Sequence, residues 1–388
     1  MLNPFAKPEQ FSVTELQTTD QKNMNNPEDL NYYEIINNSY KQALRERDHV
    51  NILIAGRTGV GKSTLINAVF EGEFATTGQG RPITQNTREI KKEGIPLSIF
   101  DTRGLEMADF SETLEALRKC IQERRGVDPS RHIHVAWICI SEESRRVEKA
   151  EEQLVRMLNE HNIPVIAVIT KAMSDGGFKD EVINILPDVK NAIRVNSIMT
   201  ELDDGIVIKP KGLKELVDLT MQVVPEGQKS AFVASQKVDI ELKKSRCNKI
   251  VASAAASAAA VGAAPIPLAD AALIVPIQVS MIASISATFG LSLDKNFLST
   301  MVASTITGGV GSLVGREIVL NLLWLFPLGF GVTGFIEAGV AAAITTTLGK
   351  TYIATLEALF IHNDGNPPTN EEVKEAFQKR REIEICDD

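Results

Sequence analysis

Between Val50 and Val224 the chain alternates short runs rich in β-branched residues with stretches whose apolar positions recur every three or four residues. The runs predict strands at 50–55, 88–93, 95–101, 133–141, 163–170 and 192–197. The helical spacing predicts helices at 62–70, 112–124, 147–161, 178–186 and 211–222. Strand followed by helix, repeated, buries a mostly parallel sheet on both faces, so the expected fold is a three-layer α/β domain with six strands. Only strands 88–93 and 95–101 lack an intervening helix, which predicts a hairpin and one antiparallel strand.

On the N-terminal side, Leu30, Tyr33, Ile36, Tyr40 and Leu44 recur at helical spacing and predict one helix over 30–49, after a polar arm at 1–29. On the C-terminal side, 226–249 reads as a linker helix with Phe232, Ser235, Val238 and Leu242 on one face. It ends in the basic run Lys243, Lys244, Arg246 and Lys249. The pattern then changes. From 250 to 349 the only charged residues are Asp270, Asp294, Lys295, Arg316, Glu317 and Glu337. They leave uncharged stretches at 250–269, 271–293, 296–315 and 318–336, each long enough to cross ~30 Å of hydrocarbon as a helix. Leu320, Leu322, Leu323, Trp324, Leu325, Phe326 and Phe330 make the last of these apolar enough to insert, whereas 250–269 is mostly Ala and Ser.

The basic run just before this segment suits anionic head groups, so an all-α, membrane-associated domain is expected over 250–362. The competing expectation is a helical bundle in water whose small residues allow close packing. A loop at 363–368 leads to a final helix opened by a Thr369/Glu372 capping box, charged nearly throughout and expected to be solvated.

Whole-chain averages conceal this asymmetry: 44% hydrophobic and 23% charged residues exclude a disordered or fibrous chain and say nothing of the two parts. The net charge of −9 argues against nucleic acid as a partner. Cys120, Cys139, Cys247 and Cys386 are too far apart for a metal or redox pair, which points to a reducing compartment. No basic region followed by an apolar run opens the chain, so no secretory signal is expected.

The chemistry is concentrated at Gly56-Arg57-Thr58-Gly59-Val60-Gly61-Lys62-Ser63, followed by Thr64, between the strand 50–55 and the helix 62–70. This is the P-loop pattern. Successive backbone N–H groups and a helix N-terminus surround a phosphate, Lys62 neutralises the β- and γ-phosphates, and the Ser63 hydroxyl binds Mg²⁺. Asp101-Thr102-Arg103-Gly104 ends a strand about forty residues later. Asp101 is placed to hold Mg²⁺ through water, and the Gly104 N–H to contact the γ-phosphate. Between them, Thr84 is the candidate for a second Mg²⁺-ligating hydroxyl that senses the γ-phosphate, with Thr87 as the alternative. His132 and His134 alternate on a strand without nearby carboxylates or thiols and read as strand-edge side chains.

In the order P-loop, switch Thr, Asp-x-x-Gly and Thr170-Lys171, residues 50–225 resemble the G domain of Era-like P-loop GTPases. The resemblance implies GTP or GDP as ligand, Mg²⁺ as cofactor, hydrolysis of GTP to GDP and phosphate, and a homodimer through the G domain as one mode of association. In that group the motif [Asn/Thr]-Lys-x-Asp reads guanine. Here it is Thr170-Lys171-Ala172-Met173. Met173 cannot accept the base's hydrogen bonds, so unless Asp175, two residues later, takes that role, the alternative expectations are a soluble P-loop ATPase or a non-hydrolysing nucleotide-binding membrane scaffold or remodelling protein. Leu105 follows Gly104 where Ras-like members often carry a water-positioning Gln, so slow hydrolysis is expected without activation or self-association. Gly59 stands where potassium-stimulated members commonly carry Asn, so potassium activation is not expected.

Residues 264–270, 276–278 and 349–352 resemble a small-residue-rich domain of unknown function that follows the GTPase domain in some bacterial Era-like proteins and is regarded as membrane-associated. That resemblance implies membrane lipid as a partner and the cytoplasmic side of a membrane as the location. A soluble helical domain would instead imply a cytoplasmic protein.

Overall fold

The computed structural model describes residues 49–71, 81–82, 87–92, 95–102, 110–126, 128–201, 205–262, 269–291 and 338–386. The expected N-terminal arm and nearly all of the helix over 30–49 lie outside them, as do the uncharged stretches 296–315 and 318–336.

A central sheet is built from β1 (Val50–Ala55), β2 (Arg81–Pro82), β3 (Thr87–Lys91), β4 (Leu97–Thr102), β5 (Val135–Ser141), β6 (Val165–Thr170) and β7 (Asn191–Arg194). Its spatial order is β2-β3-β4-β1-β5-β6-β7. β3 runs antiparallel to β2 and β4, and the other neighbours are parallel. The hairpin and the single reversed strand agree with the sequence. The sheet has seven strands rather than six because Arg81–Pro82 adds a two-residue edge, too short to leave a period-two signal.

β1, β4, β5 and β6 are buried along their whole length, and β5 and β6 accordingly read as nearly continuous apolar runs. One face packs Leu53 and Ile138 against α2 (Phe110–Arg125), α3 (Lys149–Glu160) and α4 (Phe178–Ile185), through Leu117, Leu154, Leu158 and Val182. The other packs Ile52, Ile54 and Trp137 against α1 (Lys62–Val69), α5 (Leu213–Val223) and α6 (Lys229–Ser235), through Leu65, Val69, Leu216 and Phe232. Phe70 stacks on Trp137 with centroids 5.5 Å apart, and the Trp137 indole donates to Thr220 at 3.1 Å. A small hairpin, β8 (Thr200–Glu201) and β9 (Val207–Ile208), follows β7.

The single helix expected over 226–249 is two helices. After α6 the chain turns at Gln236–Asp239, and α7 (Ile240–Gly262) begins there. Gln236 forms an antiparallel bridge with Phe70, its side chain accepts from the Asp239 N–H at 2.8 Å, and the Asp239 carboxylate caps α7 by accepting from the Leu242 N–H at 3.0 Å. A residue offering both a cap and a turn outweighs helical periodicity on either side. α7 then runs through 249, so the change in composition is not a structural boundary.

α7, α8 (Ala269–Phe289), α9 (Ala338–His362) and α10 (Asn370–Cys386) share one core that includes Val251, Ile282, Phe289, Tyr352, Phe360 and Phe377. Small residues bring the helices close, since a Cβ on Gly349 would lie 2.5 Å from Val251 and 3.0 Å from the Met281 sulfur. The capping box of α10 is present, with the Thr369 N–H donating to Glu372 at 2.7 Å and the Glu372 N–H to Thr369 at 3.3 Å. The helix itself is not solvated all round. Val373 and Phe377 are buried, and Phe377 meets Tyr352 edge-on at 5.6 Å. Among the described residues no helix is long and apolar enough to cross a membrane.

The basic run does not form a cationic face. Lys243 is fully buried, 2.5 Å from the Glu71 carboxylate just beyond α1, and also donates to the carbonyls of Ala234 at 3.0 Å and Phe289 at 3.2 Å. Lys244 pairs with Glu241 and with Glu357 on α9, and Arg246 bonds Ser230. Only Lys249 of the four is exposed. Deleting one member of a buried ion pair strands the other charge, so Lys243→Met or Glu71→Leu alone should cost about 3–5 kcal/mol in chemical denaturation of the full chain. The double variant should lie closer to wild type than either single one; losses that simply add would show that the pair is not coupled.

Candidate functional site

The P-loop joins β1 to α1 and sits over the C-terminal edge of the sheet, where open α/β sheets bind ligands. Two of its glycines are sterically required. A Cβ on Gly56 would lie 2.4 Å from the Cys139 carbonyl oxygen, and Gly61, at φ 97°, is the left-handed residue immediately before α1. The Lys62 ammonium is folded into the loop, donating to the carbonyls of Gly56 at 2.6 Å and Arg57 at 2.9 Å. Ser63 and Thr64 are exposed in the first turn of α1.

Asp101 is buried near the end of β4, in register with Ile54 of β1, which brings it beside the strand that feeds the P-loop. Thr170, at the end of β6, donates through its hydroxyl to the Val60 carbonyl at 2.5 Å and lies 3.2 Å from that of Ile140. It ties the Thr-Lys loop to the P-loop across 110 positions of sequence. Thr87, the alternative switch residue, is committed elsewhere. It is fully buried in β3, with its hydroxyl 3.1 Å from that of Thr102. Thr84, Arg103, Gly104 and Leu105 lie outside the described residues.

Beyond Thr170 the chain carries a charged network that the sequence did not expose. Lys171 takes φ 53° and reaches Glu143 at 2.8 Å. Glu142, just past β5, accepts from the Met173 N–H at 2.5 Å and from Arg194 at 2.6 Å. Burial alone would raise its pKa, but Arg194 and the N–H groups of Met173 and Ser174 together hold the carboxyl below its ordinary value. Arg194 also faces Asp175 at 3.3 Å. Arg145 donates to the carbonyls of Ser174 and Asp175 and lies over the Phe178 ring at 5.6 Å. The one signal of Glu142 in the sequence was its place at a strand's C-terminal end. Asn196 pairs with Lys211 through the backbone and bonds the Ile198 carbonyl at 2.8 Å, fixing the loop after β7.

On the other flank of the P-loop, Arg57 pairs with Glu148 at 3.2 Å, and a cavity of about 310 Å³ is lined by Arg57, Thr58, Ser141, Glu143, Arg146 and Glu151. His134 accepts from the Asn51 N–H at 2.9 Å and reaches the Pro129 carbonyl at 3.0 Å, so it is structural, as the sequence indicated. Among the described residues no cluster of three His, Cys, Asp or Glu could hold a metal.

These features define a P-loop nucleotide-binding domain. Residues 51–171 match the family described as 50S ribosome-binding GTPase, and residues 227–382 match a domain of unknown function (DUF697). Among curated proteins, the tRNA modification GTPase MnmE of Histophilus somni (strain 129Pt) is 27% identical over 218 residues, covering 54% of this chain and 44% of the relative. MnmE of Janthinobacterium sp. (strain Marseille) is 32% identical over 130 residues, covering 32% and 26%. The chain thus spans less than half the length of these relatives. Among solved structures, a probable GTP-binding protein engB is 18% identical with a TM-score of 0.32, covering 45% of this chain and 98% of that one. Aquifex aeolicus Era bound to GDP and AlF4− is 19% identical with the same TM-score of 0.32, covering 54% and 68%. The chain carries a P-loop GTPase domain followed by a domain of the second family.

Glu151 shapes the pH response of the site. Burial raises its pKa from the ordinary 4.5 to about 7, against the opposing Glu148 N–H, which donates to it at 2.9 Å. A folded value above the unfolded one means that this carboxyl favours folding when protonated. Its contribution is complete below the unfolded value and is lost as pH rises through about 7. Glu151→Gln keeps an acceptor for that N–H and should flatten the thermal midpoint between about pH 5 and about pH 8. An undiminished fall with pH would assign the titration to another group.

Proposed function

We propose that the protein is a nucleotide-dependent switch, in which the P-loop GTPase domain hydrolyses GTP to GDP and phosphate and thereby alters the exposure or self-association of the helical domain. The observation that carries this reading is the placement of the two domains on one short helix. α1 begins at Lys62 and Ser63 and is eight residues long, ~12 Å. Glu71, two residues beyond its end, is held by Lys243 of α7.

The residues fit the ligand set. Gly56 to Ser63 and Thr64 form a cradle of N–H groups, with Lys62 pointed into it. Ser63 and Asp101 would hold Mg²⁺, with Thr84 as a further ligand, and the Gly104 N–H would meet the γ-phosphate. The cation supplies neutralisation of charge on the phosphates. Lys62 adds the ammonium, and Thr170 and Lys171 support the base side. Slow turnover follows from Leu105.

Membrane lipid is the proposed partner of the helical domain, on the cytoplasmic side. This rests on the uncharged sequence of 318–336, and the burial of Lys243 and pairing of Lys244 remove the basic run as its support. tRNA modification belongs to relatives that this chain covers only in part, and a net charge of −9 disfavours a polyanionic partner. A second reading, a nucleotide-binding scaffold that does not turn over, is favoured by Leu105.

Lys62→Ala should lower GTP affinity by about a hundredfold, and retained tight binding would overturn the P-loop reading. The wild-type chain should release phosphate from GTP, faster with vesicles containing anionic lipid. Absence of turnover under every condition would favour the scaffold.

A further inference from the structure

The base side of the nucleotide site departs from what the P-loop side leads one to expect. Thr170 anchors the loop to the P-loop, so the loop leaves β6 in register to meet the base. The third residue after it is Met173, which is 36% exposed. Ile198 and Met199, on the next loop, are 55% and 64% exposed. Three carboxylates touch this loop, and each holds it through at least one oxygen. Glu142 accepts from the Met173 N–H and from Arg194. Glu143 pairs with Lys171 at 2.8 Å. Asp175 accepts from the Lys179 N–H at 3.1 Å and faces Arg194 at 3.3 Å. Arg145 clamps the same loop through the carbonyls of Ser174 and Asp175.

We infer that Met173 makes this a purine site with little preference between guanine and adenine, because the residue three positions after Thr170 is an exposed thioether and each nearby carboxylate holds the loop itself through at least one oxygen. The inference rests on the nucleotide-binding reading above. Guanine and adenine have similar faces and differ at their edges, where guanine presents two adjacent donors and adenine does not. Contact with a thioether and alkyl groups senses the face alone, and apolar contact separates similar ligands by ten- to two-hundredfold at most, usually nearer the lower end. A site that pairs the donors of a ligand edge discriminates by ten-thousandfold or more. Glu142 is a positioning residue here, since it acts on the loop rather than on the base.

The test is equilibrium competition on the full chain with Mg²⁺, using GTP, ITP, which lacks the guanine amino group, and ATP against one fluorescent nucleotide. Affinities for the three within about tenfold of one another are expected. Met173→Asp places an acceptor at the loop and should raise the GTP-to-ATP ratio by at least about tenfold, with thermal stability monitored to show that the variant folds. A wild-type preference for GTP over ATP beyond about a hundredfold would overturn the inference. If Asp175→Asn then abolished that preference and gained XTP, Asp175 would be the reader instead. Failure of all three nucleotides to bind would sink the P-loop reading and this inference together, whereas strong GTP selectivity sinks this inference alone.

Discussion

A lysine ammonium and a glutamate carboxylate, both withdrawn from water and 2.5 Å apart, hold the nucleotide domain to the helical domain. Such a pair recovers its desolvation cost only if the remaining hydrogen-bonding capacity is met. Lys243 meets it by donating to Glu71 after α1, Ala234 in α6 and Phe289 at the end of α8, with the Phe360 ring of α9 at 5.4 Å. One cation therefore gathers four helices. Gly290 is obligatory beside it, since a Cβ there would lie 2.2 Å from Glu71 and 2.7 Å from the Ala234 carbonyl, at φ +85°. Around the pair, the Glu71 N–H donates to the Ser235 carbonyl and the Lys237 N–H to that of Val69, each at 2.9 Å. The far end of the P-loop helix is thus part of the helical domain's own structure.

The P-loop end of the same helix obeys a different constraint. There the backbone must approach an anion and also the neighbouring strand, so Gly56 and Gly61 are demanded by contact and by conformation respectively. Thr170 then couples the loop after β6 to the P-loop with a hydroxyl where an amide would also serve. From that point outward Glu142, Glu143 and Asp175 are used to fix loops. Phosphate recognition and base recognition follow separate physical rules on one sheet edge, and only the first is spelled by the motif.

The longer elements of the nucleotide domain were legible to within two or three residues because their helices are amphipathic and β5 and β6 are buried apolar runs, whereas the two-residue β2, β8 and β9 were too short to leave a pattern. The P-loop and Asp101 were legible because their chemistry depends on residues close in sequence or at a strand end. Legibility failed where a side chain had two competing uses. Gln236 and Asp239 sit in apolar periodicity yet build a turn and a cap. Val373 and Phe377 were outnumbered by charges in α10 yet dock it on Tyr352. The basic run counted as four surface cations, while only Lys249 is exposed.

By itself, then, the sequence determined the alternation of strand and helix, the single reversed strand, the phosphate loop, the capping box at Thr369 and the shift to a nearly uncharged C-terminal segment. All of these depend on neighbours within a few residues. Tertiary structure alone decided which charges are buried and with whom. Glu71 and Lys243 are 172 positions apart, and Glu142 and Arg194 are 52 apart. An isolated lysine or glutamate is equally at home in water, and nothing short of the folded packing specifies that its partner waits in the interior.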